Sequence, residues 1–400
     1  MRRTLARCAV LVSWAVLGSA FGACASRAND APPVAREARH VQSAGRVELA
    51  APERDASDER CARGGDGAAV LAFGGDVIAH EAVRESAQRG DGYGAMLAAA
   101  RASLRDADLA FVNLESPVTE RHGRRGPMVF HAEEPLLGAL VDAGVGVVSL
   151  ANNHAYDQGM KGLLDTLEAV RRSGLVAVGA GATPAEACAA RHFEVKGIRI
   201  ALFARTQLMN FKDDASPARV CMLDLGALKR EVRAARAAGV DLVAVSLHWG
   251  NEYEAAPRRE QVDVARMIAL AGADLLIGHH PHVLQRVERV SAGGRDALVA
   301  YSIGNLLSNQ SYDYVPDKDP LRRGDPRDVA VLRVVVEKTP PDAGPARARV
   351  REVTAVPLWT EHHEATISLV PATTRRARIA ERLAVPLVDA PIEDRSCARR

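Results

Sequence analysis

GVGVVSLANNH, residues 144–154, sets the pattern of this chain. A short run of apolar and small residues starts at glycine and stops at three polar side chains, Asn152, Asn153 and His154. A half-exposed strand would alternate apolar and polar residues. An unbroken apolar run bounded by glycine predicts a strand buried on both faces.

The same design recurs along the chain. AAVLAFGGD (68–76) ends in Asp76, and ADLAFVNLES (107–116) ends in Asn113 and Glu115. GVDLVAVSLHWG (239–250) ends in His248, and GADLLIGHHPH (272–282) ends in His279, His280 and His282. ALVAYSIGN (297–305) ends in Ser302 and Asn305, and GIRIALFAR (197–205) ends in Arg205. Between several of these runs, residues 92–104, 159–173, 224–238 and 259–271 carry apolar residues at helical spacing. Alternating strands and helices predict α/β layers, and open α/β sheets bind ligands beyond the carboxyl ends of their strands. The polar residues collect at those ends.

Composition bounds the function. The chain has 400 residues and a net charge of +2, from 52 basic and 50 acidic side chains. With 48% hydrophobic and 26% charged residues it has ample apolar surface to bury, which excludes wholesale disorder. No stretch after residue 25 approaches the roughly 20 apolar residues of a membrane span. The balanced charge argues against a nucleic-acid partner.

The ends differ from the middle. Residues 1–24 begin with Arg2, Arg3 and Arg7, continue through a mostly apolar stretch and reach Phe-Gly-Ala-Cys at Cys24. This is the form of a secretory signal peptide, and the small residues before Cys24 fit lipidation of that cysteine and a membrane anchor. Cleavage without lipidation, giving simple secretion, is the other reading. Residues 25–67, rich in Ala, Arg, Asp, Ser and Pro, read as a flexible tether. The core is expected over 68–310, with a long loop and closing strands over 311–372 and a C-terminal tail over 373–400. Residues 329–337 and 348–357 read as a closing hairpin. Cys61, Cys188, Cys221 and Cys397 allow three pairings, and a Cys61–Cys397 bridge would join the two ends of the core.

Four strand-end histidines, His154, His248, His280 and His282, together with Asp76, Glu115 and the amide of Asn153, make a nitrogen and oxygen donor set. It suits divalent zinc, manganese or iron better than a thiolate site would. His80, His122, His131, His192 and the His362–His363 pair are expected on solvated faces. Nucleophilic catalysis fits less well, because Ser302 lacks the Gly-x-Ser-x-Gly elbow.

FGGD (73–76), FVNLESPVT (111–119), SLANNHAYDQG (149–159), LHWGNEY (247–253), IGHHPHVLQ (277–285) and YSIGNLL (301–307) stand in an order that resembles the CapA family. That family is associated with bacterial poly-γ-glutamate capsule synthesis and is similar in fold to the calcineurin-like metallophosphoesterases. The resemblance covers about residues 69–310. It implies a single main domain, a four-layer αββα sandwich with two facing sheets and helices outside. It implies metal ligands at Asp76, Glu115, Asn153, His248, His280 and His282, and catalytic roles for Asp76 and His154. Asn113, Asn152, Glu252 and Asn305 in the same motifs are candidate substrate contacts, as is Arg205. The chain departs from the phosphoesterase pattern in three places. Val77-Ile78 replaces the usual Asp-x-His ligand, Asn113-Leu114-Glu115 replaces a Gly-Asp motif, and Ala155 replaces an acidic residue after Asn-His.

The resemblance thus implies an exported, cell-envelope protein of capsule biosynthesis with a metal-dependent hydrolase or transferase centre acting on an anionic polymer such as poly-γ-glutamate. A non-catalytic polymer-binding accessory to a capsule synthase or export complex is one alternative. A metal-dependent phosphoesterase is another.

Overall fold

The computed structural model describes residues 67–391 except 122, 212–218, 341–347 and 364–365. The expected leader with Cys24, nearly all of the tether, and the Cys61–Cys397 pair lie outside the described residues.

The first sheet takes β1 (Ala68–Val77), β2 (Leu109–Leu114), β3 (Val147–Ser149) and β4 (Val176–Val178) in parallel. On the other side of β1 lie β12 (Asp328–Lys338), β13 (Ala348–His363) and β14 (Thr366–Pro371), all antiparallel, giving the order β14-β13-β12-β1-β2-β3-β4. The short β11 (Asn305–Leu307) continues beside the end of β1. The second sheet has the order β5-β6-β7-β8-β10-β9. Its strands are β5 (Arg191–Val195), β6 (Ile198–Thr206), β7 (Leu242–His248), β8 (Leu275–His279), β9 (Val287–Ala292) and β10 (Arg295–Ala300).

Strand side chains alternate between faces, so each sheet has two apolar surfaces to cover. The inner faces meet: Leu71, Phe73 and Phe111 of the first sheet pack with Ile200, Leu202, Leu242 and Leu275 of the second. On the outer face of the first sheet Ala72, Val112 and Val148 pack under α1 (Glu81–Arg89), α2 (Gly92–Met96), α3 (Ala98–Arg105), α4 (Pro135–Asp142) and α5 (Gly159–Arg172). The short α6 (Pro184–Cys188) precedes β5. On the outer face of the second sheet Phe203, Val243 and Leu276 pack under α7 (Leu225–Ala237) and α8 (Arg259–Ala271). The layers are therefore helix, sheet, sheet, helix, in one main domain. Each fully buried large apolar side chain contributes about 1.5–3 kcal/mol.

Two glycines let the site-bearing strands approach their neighbours. A Cβ on Gly75 would stand 2.1 Å from the Gly304 carbonyl oxygen, and one on Gly278 would stand 1.8 Å from that of Tyr301. The next residues, Asp76 and His279, begin the site.

Some elements differ from expectation. The helix expected over 92–104 is two pieces broken at Leu97. α1, α4, β4, β5, β9 and β14 were not read from the sequence. Within the long loop expected from residue 311, Leu321–Arg327 forms a 3-10 helix. Beyond residue 373, the short α9 (Arg376–Leu383) sends Ile379 and Leu383 into the core between the sheets. The preceding Arg375 is buried against Asp325 at 2.8 Å and Asp328 at 2.6 Å. Cys188 and Cys221 form a disulfide that ties the end of α6 to the connection between β6 and α7. Among the described residues, no helix is long and apolar enough to cross a membrane.

Candidate metal centre

Register brings the site together. In the first sheet Asp76 pairs with Asn113 and with Asn305. In the second, His248 pairs with His279. The carboxyl ends of β1, β2, β7 and β8 thus point their polar residues into one space between the sheets.

Asp76 is fully buried and both its oxygens are engaged. Oδ1 accepts from Asn113 Nδ2 at 2.8 Å and lies 3.0 Å from His279 Nδ1. Oδ2 accepts from the backbone N–H of His280 at 3.2 Å and lies 3.1 Å from His282 Nδ1. Burial alone would raise this carboxyl, but His279 and His282 outweigh it and hold Asp76 well below the usual carboxylate range.

Glu115 has the opposite character. Its Oε2 accepts from Asn113 Nδ2 at 3.2 Å. Its Oε1 is buried, accepts no hydrogen bond, and faces His248 Nε2 at 3.6 Å and His282 Nε2 at 3.9 Å. Burial and then the neighbouring Asp76 carboxylate push Glu115 well above its ordinary value. Two carboxylates so close and so deep cannot both ionise without a cation between them.

The histidines complete the shell. Burial, helped by His280, pushes His248 well below the ordinary imidazole value, and burial takes His280 down to about 3. Neutral imidazole is the form that binds a metal. Asn153 Oδ1 lies 2.8 Å from His248 Nε2. Donor atoms of Glu115, His280 and His282 lie within 4.8 Å of one another, as do those of Asp76, Glu115 and His248. Glu115 belongs to both sets. The unpaired, buried Glu115 Oε1 and His280 Nδ1, on residues of these donor sets, fit a divalent cation. His280 and His282 hold left-handed backbone angles, φ 93° and 58°. Such strain in non-glycine residues costs of order 1–3 kcal/mol each and persists where surroundings enforce it. Here Tyr253 N–H pins the turn by donating to the Pro281 carbonyl at 2.8 Å.

Beside this shell stands a second device. His154 Nδ1 lies 2.8 Å from Asp157 Oδ2, both residues being buried. The same oxygen accepts from Phe130 N–H at 2.7 Å, and the Phe130 ring packs 4.3 Å from the His154 ring. Asn210 Nδ2 approaches His154 Nε2 at 3.3 Å, while its Oδ1 accepts from Asn153 Nδ2 at 3.1 Å. A carboxylate behind an imidazole fixes its tautomer and orientation.

Residues 70–310 match the family model described as Bacterial capsule synthesis protein PGA_cap, more than half of the chain. The chain belongs to this family. It is similar to the Capsule biosynthesis protein CapA of Bacillus anthracis, 29% identical over 284 residues, which cover 68% of this chain and 66% of the relative. It is also similar to the PGA biosynthesis protein CapA of Bacillus subtilis, 30% identical over 220 residues, 54% of this chain and 57% of the relative. The matches therefore span under two thirds of these relatives. Among solved structures, the NAD nucleotidase of Haemophilus influenzae aligns with 83% of this chain and 60% of its own at 13% identity, with a TM-score of 0.44.

Of the capsule family residues singled out in the sequence, Asp76, Asn113, Glu115, Asn153, His248, His280 and His282 converge. Asn152 acts inside the protein, donating to Asn113 Oδ1 at 3.2 Å and the Leu114 carbonyl at 2.9 Å. Asn305 Oδ1 lies 3.0 Å from His282 Nδ1, so it orients that ring. Glu252 is exposed at the rim and adds to the negative field at Glu115.

Arg205 is a correction. It is buried on the outer face of β6, where it pairs with Glu231 of α7 and donates to the Cys188 carbonyl at 2.9 Å. Strand alternation puts it on the side of Phe203, away from the metal centre. His80 is a second correction. It is no solvated residue: its ring packs 4.9 Å from Phe130, it accepts from Asn309 N–H at 3.2 Å, and burial takes it down to about 4. His362 too is half-buried and lowered by burial to about 4, so only its partner His363 is exposed. His279, Asp157 and Asn210 were missed as site residues. His279 and Asp157 sit inside the quoted motifs, so their position was a usable signal. Asn210 has no such signal, because its loop reaches the site only through the tertiary fold.

Proposed function

We propose that this chain is an exported, lipid-anchored capsule protein whose strand-end centre holds a divalent metal ion, manganese, zinc or iron. We propose that it hydrolyses or transfers an amide or phosphoester bond of an anionic envelope polymer such as poly-γ-glutamate, alongside a capsule synthase or export complex. The observation that carries this reading is the buried, unpaired Glu115 Oε1 between His248 and His282, on a residue shared by two donor sets.

Asp76, Glu115, Asn153, His248, His280 and His282 would hold the ion. A bound divalent ion polarises a carbonyl or phosphoryl oxygen and acidifies water at neutral pH. The chain's own residues do the rest. Asp157 holds His154 Nδ1, so His154 handles a proton at Nε2, where the Asn210 amide now lies. Phe130 packs on the ring and keeps bulk water from that face. The signal peptide and the anchor at Cys24 rest on the leader sequence alone.

Elemental mass spectrometry of the full-length chain tests the centre. One or two metal equivalents, lost in the His280→Ala, His282→Ala double variant, is the expected result. No stoichiometric metal after incubation with zinc, manganese and iron overturns it in favour of a non-catalytic polymer-binding role. Incorporation of a radiolabelled fatty acid, abolished by Cys24→Ala, tests the anchor.

A further inference from the structure

We infer that the connection between β2 and α4 carries a carboxylate-binding subsite, in which Arg124 and Arg125 hold an acidic group of the substrate beside His154. This rests on reading the site as one for an anionic polymer.

The connection is built into the site. Phe130 packs on His154 and donates to Asp157. Gln158, next to Asp157, clamps the loop at two points. Its Oε1 accepts from Arg124 N–H at 3.2 Å, and its Nε2 donates to the Arg124 carbonyl at 3.3 Å and that of Phe130 at 3.0 Å. Arg124 Nη1 donates to the Tyr156 carbonyl at 3.0 Å, and its guanidinium lies 5.1 Å from the centre of the Phe211 ring. Phe211 follows Asn210, whose amide touches His154. One exposed guanidinium is thus held at the rim by backbone, stacking and hydrogen bond.

Most of its binding capacity is unused. A guanidinium has five N–H donors, and among the described residues Arg124 commits one side-chain donor, Nη1. Arg125 is exposed and makes no ion pair or hydrogen bond among the described residues. Arg121 in the same loop is different, because Asp165 at 2.7 Å already takes it. Residues 119–131 contain three arginines against one acidic residue, Glu120. An acidic substrate approaching the site passes the exposed Glu252 carboxylate, and a pre-oriented guanidinium at the rim offsets that repulsion. Planar guanidinium also matches carboxylate with two parallel hydrogen bonds.

The experiment is fluorescence anisotropy with the metal-loaded full-length chain and a labelled γ-linked glutamate oligomer, across a salt series. Arg124→Gln/Arg125→Gln is expected to weaken binding about tenfold or more and to flatten its salt dependence. Its metal content and melting temperature are expected to match wild type. Arg125→Gln alone, at an exposed side chain with no hydrogen bond or ion pair among the described residues, is expected to weaken binding without any effect on folding. An α-linked glutamate oligomer tests whether the carboxylate or the linkage is read, and weakening by the same factor supports carboxylate recognition. Equal affinity of wild type and the double variant overturns the subsite while leaving the metal-centre reading intact. Wild-type binding of polyphosphate but of neither glutamate oligomer overturns the carboxylate assignment. Wild-type chain that holds metal yet binds no polyanion overturns the polymer reading itself and the subsite with it.

Discussion

Glu115 Oε1 stands 3.6 Å from His248 Nε2 at the bottom of the site, and neither residue is open to solvent. The oxygen comes from the first sheet and the nitrogen from the second, so their meeting is a property of the sandwich. A metal held in such a centre would couple its binding to the packing of the two sheets.

Glu115→Gln is the most direct probe of that meeting. Because burial and Asp76 already favour the neutral acid, the amide replaces it with little change in charge. Stability of the metal-free chain is expected to stay within about 1 kcal/mol of wild type. Saturating metal at a hundred times its dissociation constant should add about 2.7 kcal/mol to wild type and none to the variant. Paired thermal melts with and without metal check this, and an equal metal-induced rise in both would remove Glu115 from the shell.

Asp157→Asn separates proton handling from metal binding. The amide removes the charge behind Nδ1 and can turn an N–H toward it, so it no longer selects one tautomer of His154. The proposed turnover of poly-γ-glutamate, followed by chain length on a sizing column, is expected to fall about a hundredfold or more. Metal content should be unchanged, and a matching loss of metal would assign Asp157 a structural role instead.

The pH response of the helical layer follows from Glu133. Its Oε1 lies 2.9 Å from Arg84 Nε of α1, and its Oε2 accepts from Tyr93 Oη of α2 at 2.9 Å. Burial alone would raise Glu133, but Arg84 and Tyr93 outweigh it and the net shift is downward. A carboxylate lowered in the folded state contributes stability above its unfolded value and loses it as pH falls through the folded one. Glu133→Gln should therefore cost about 1 kcal/mol at neutral pH, and the difference should fade as pH falls below the ordinary glutamate range. Urea titrations at several pH values decide it. A constant difference across the range would mean the contacts act through shape and not charge.

Asp325 anchors the C-terminal helix. It faces Arg375 at 2.8 Å, Arg382 at 3.0 Å and Arg378, all from residues just before or within α9. Asp325→Ala would leave these cations without their shared partner. A loss of about 3 kcal/mol or more in urea unfolding is expected. A loss below about 1 kcal/mol would show that Asp328 alone holds Arg375.

Much of the site was legible, because its chemistry is written locally. A glycine-bounded apolar run must be a buried strand, and polar residues at its end must lie near an edge where ligands bind. Asp76, Glu115, His248, His280 and His282 follow from that rule one strand at a time. The C-terminal helix was harder. Residues 373–400 read as a tail, and Asp325, some fifty residues earlier, is what gathers Arg375, Arg378 and Arg382 onto the core.

The central buried strands, the helices over 159–173, 224–238 and 259–271 and most of the candidate donors are properties of nearest neighbours along the chain, so the sequence alone determined them. The face on which each donor lies was decided by the tertiary structure. In a strand apolar on both sides, nothing in the alternation says which side meets the other sheet. Arg205 therefore turned outward to Glu231, while His248 on the adjacent strand turned inward to Glu115. Asn210 reached His154, and Arg124 reached the neighbouring Phe211 ring, through loops whose paths depend on the two sheets closing over a shared core, which no local pattern encodes.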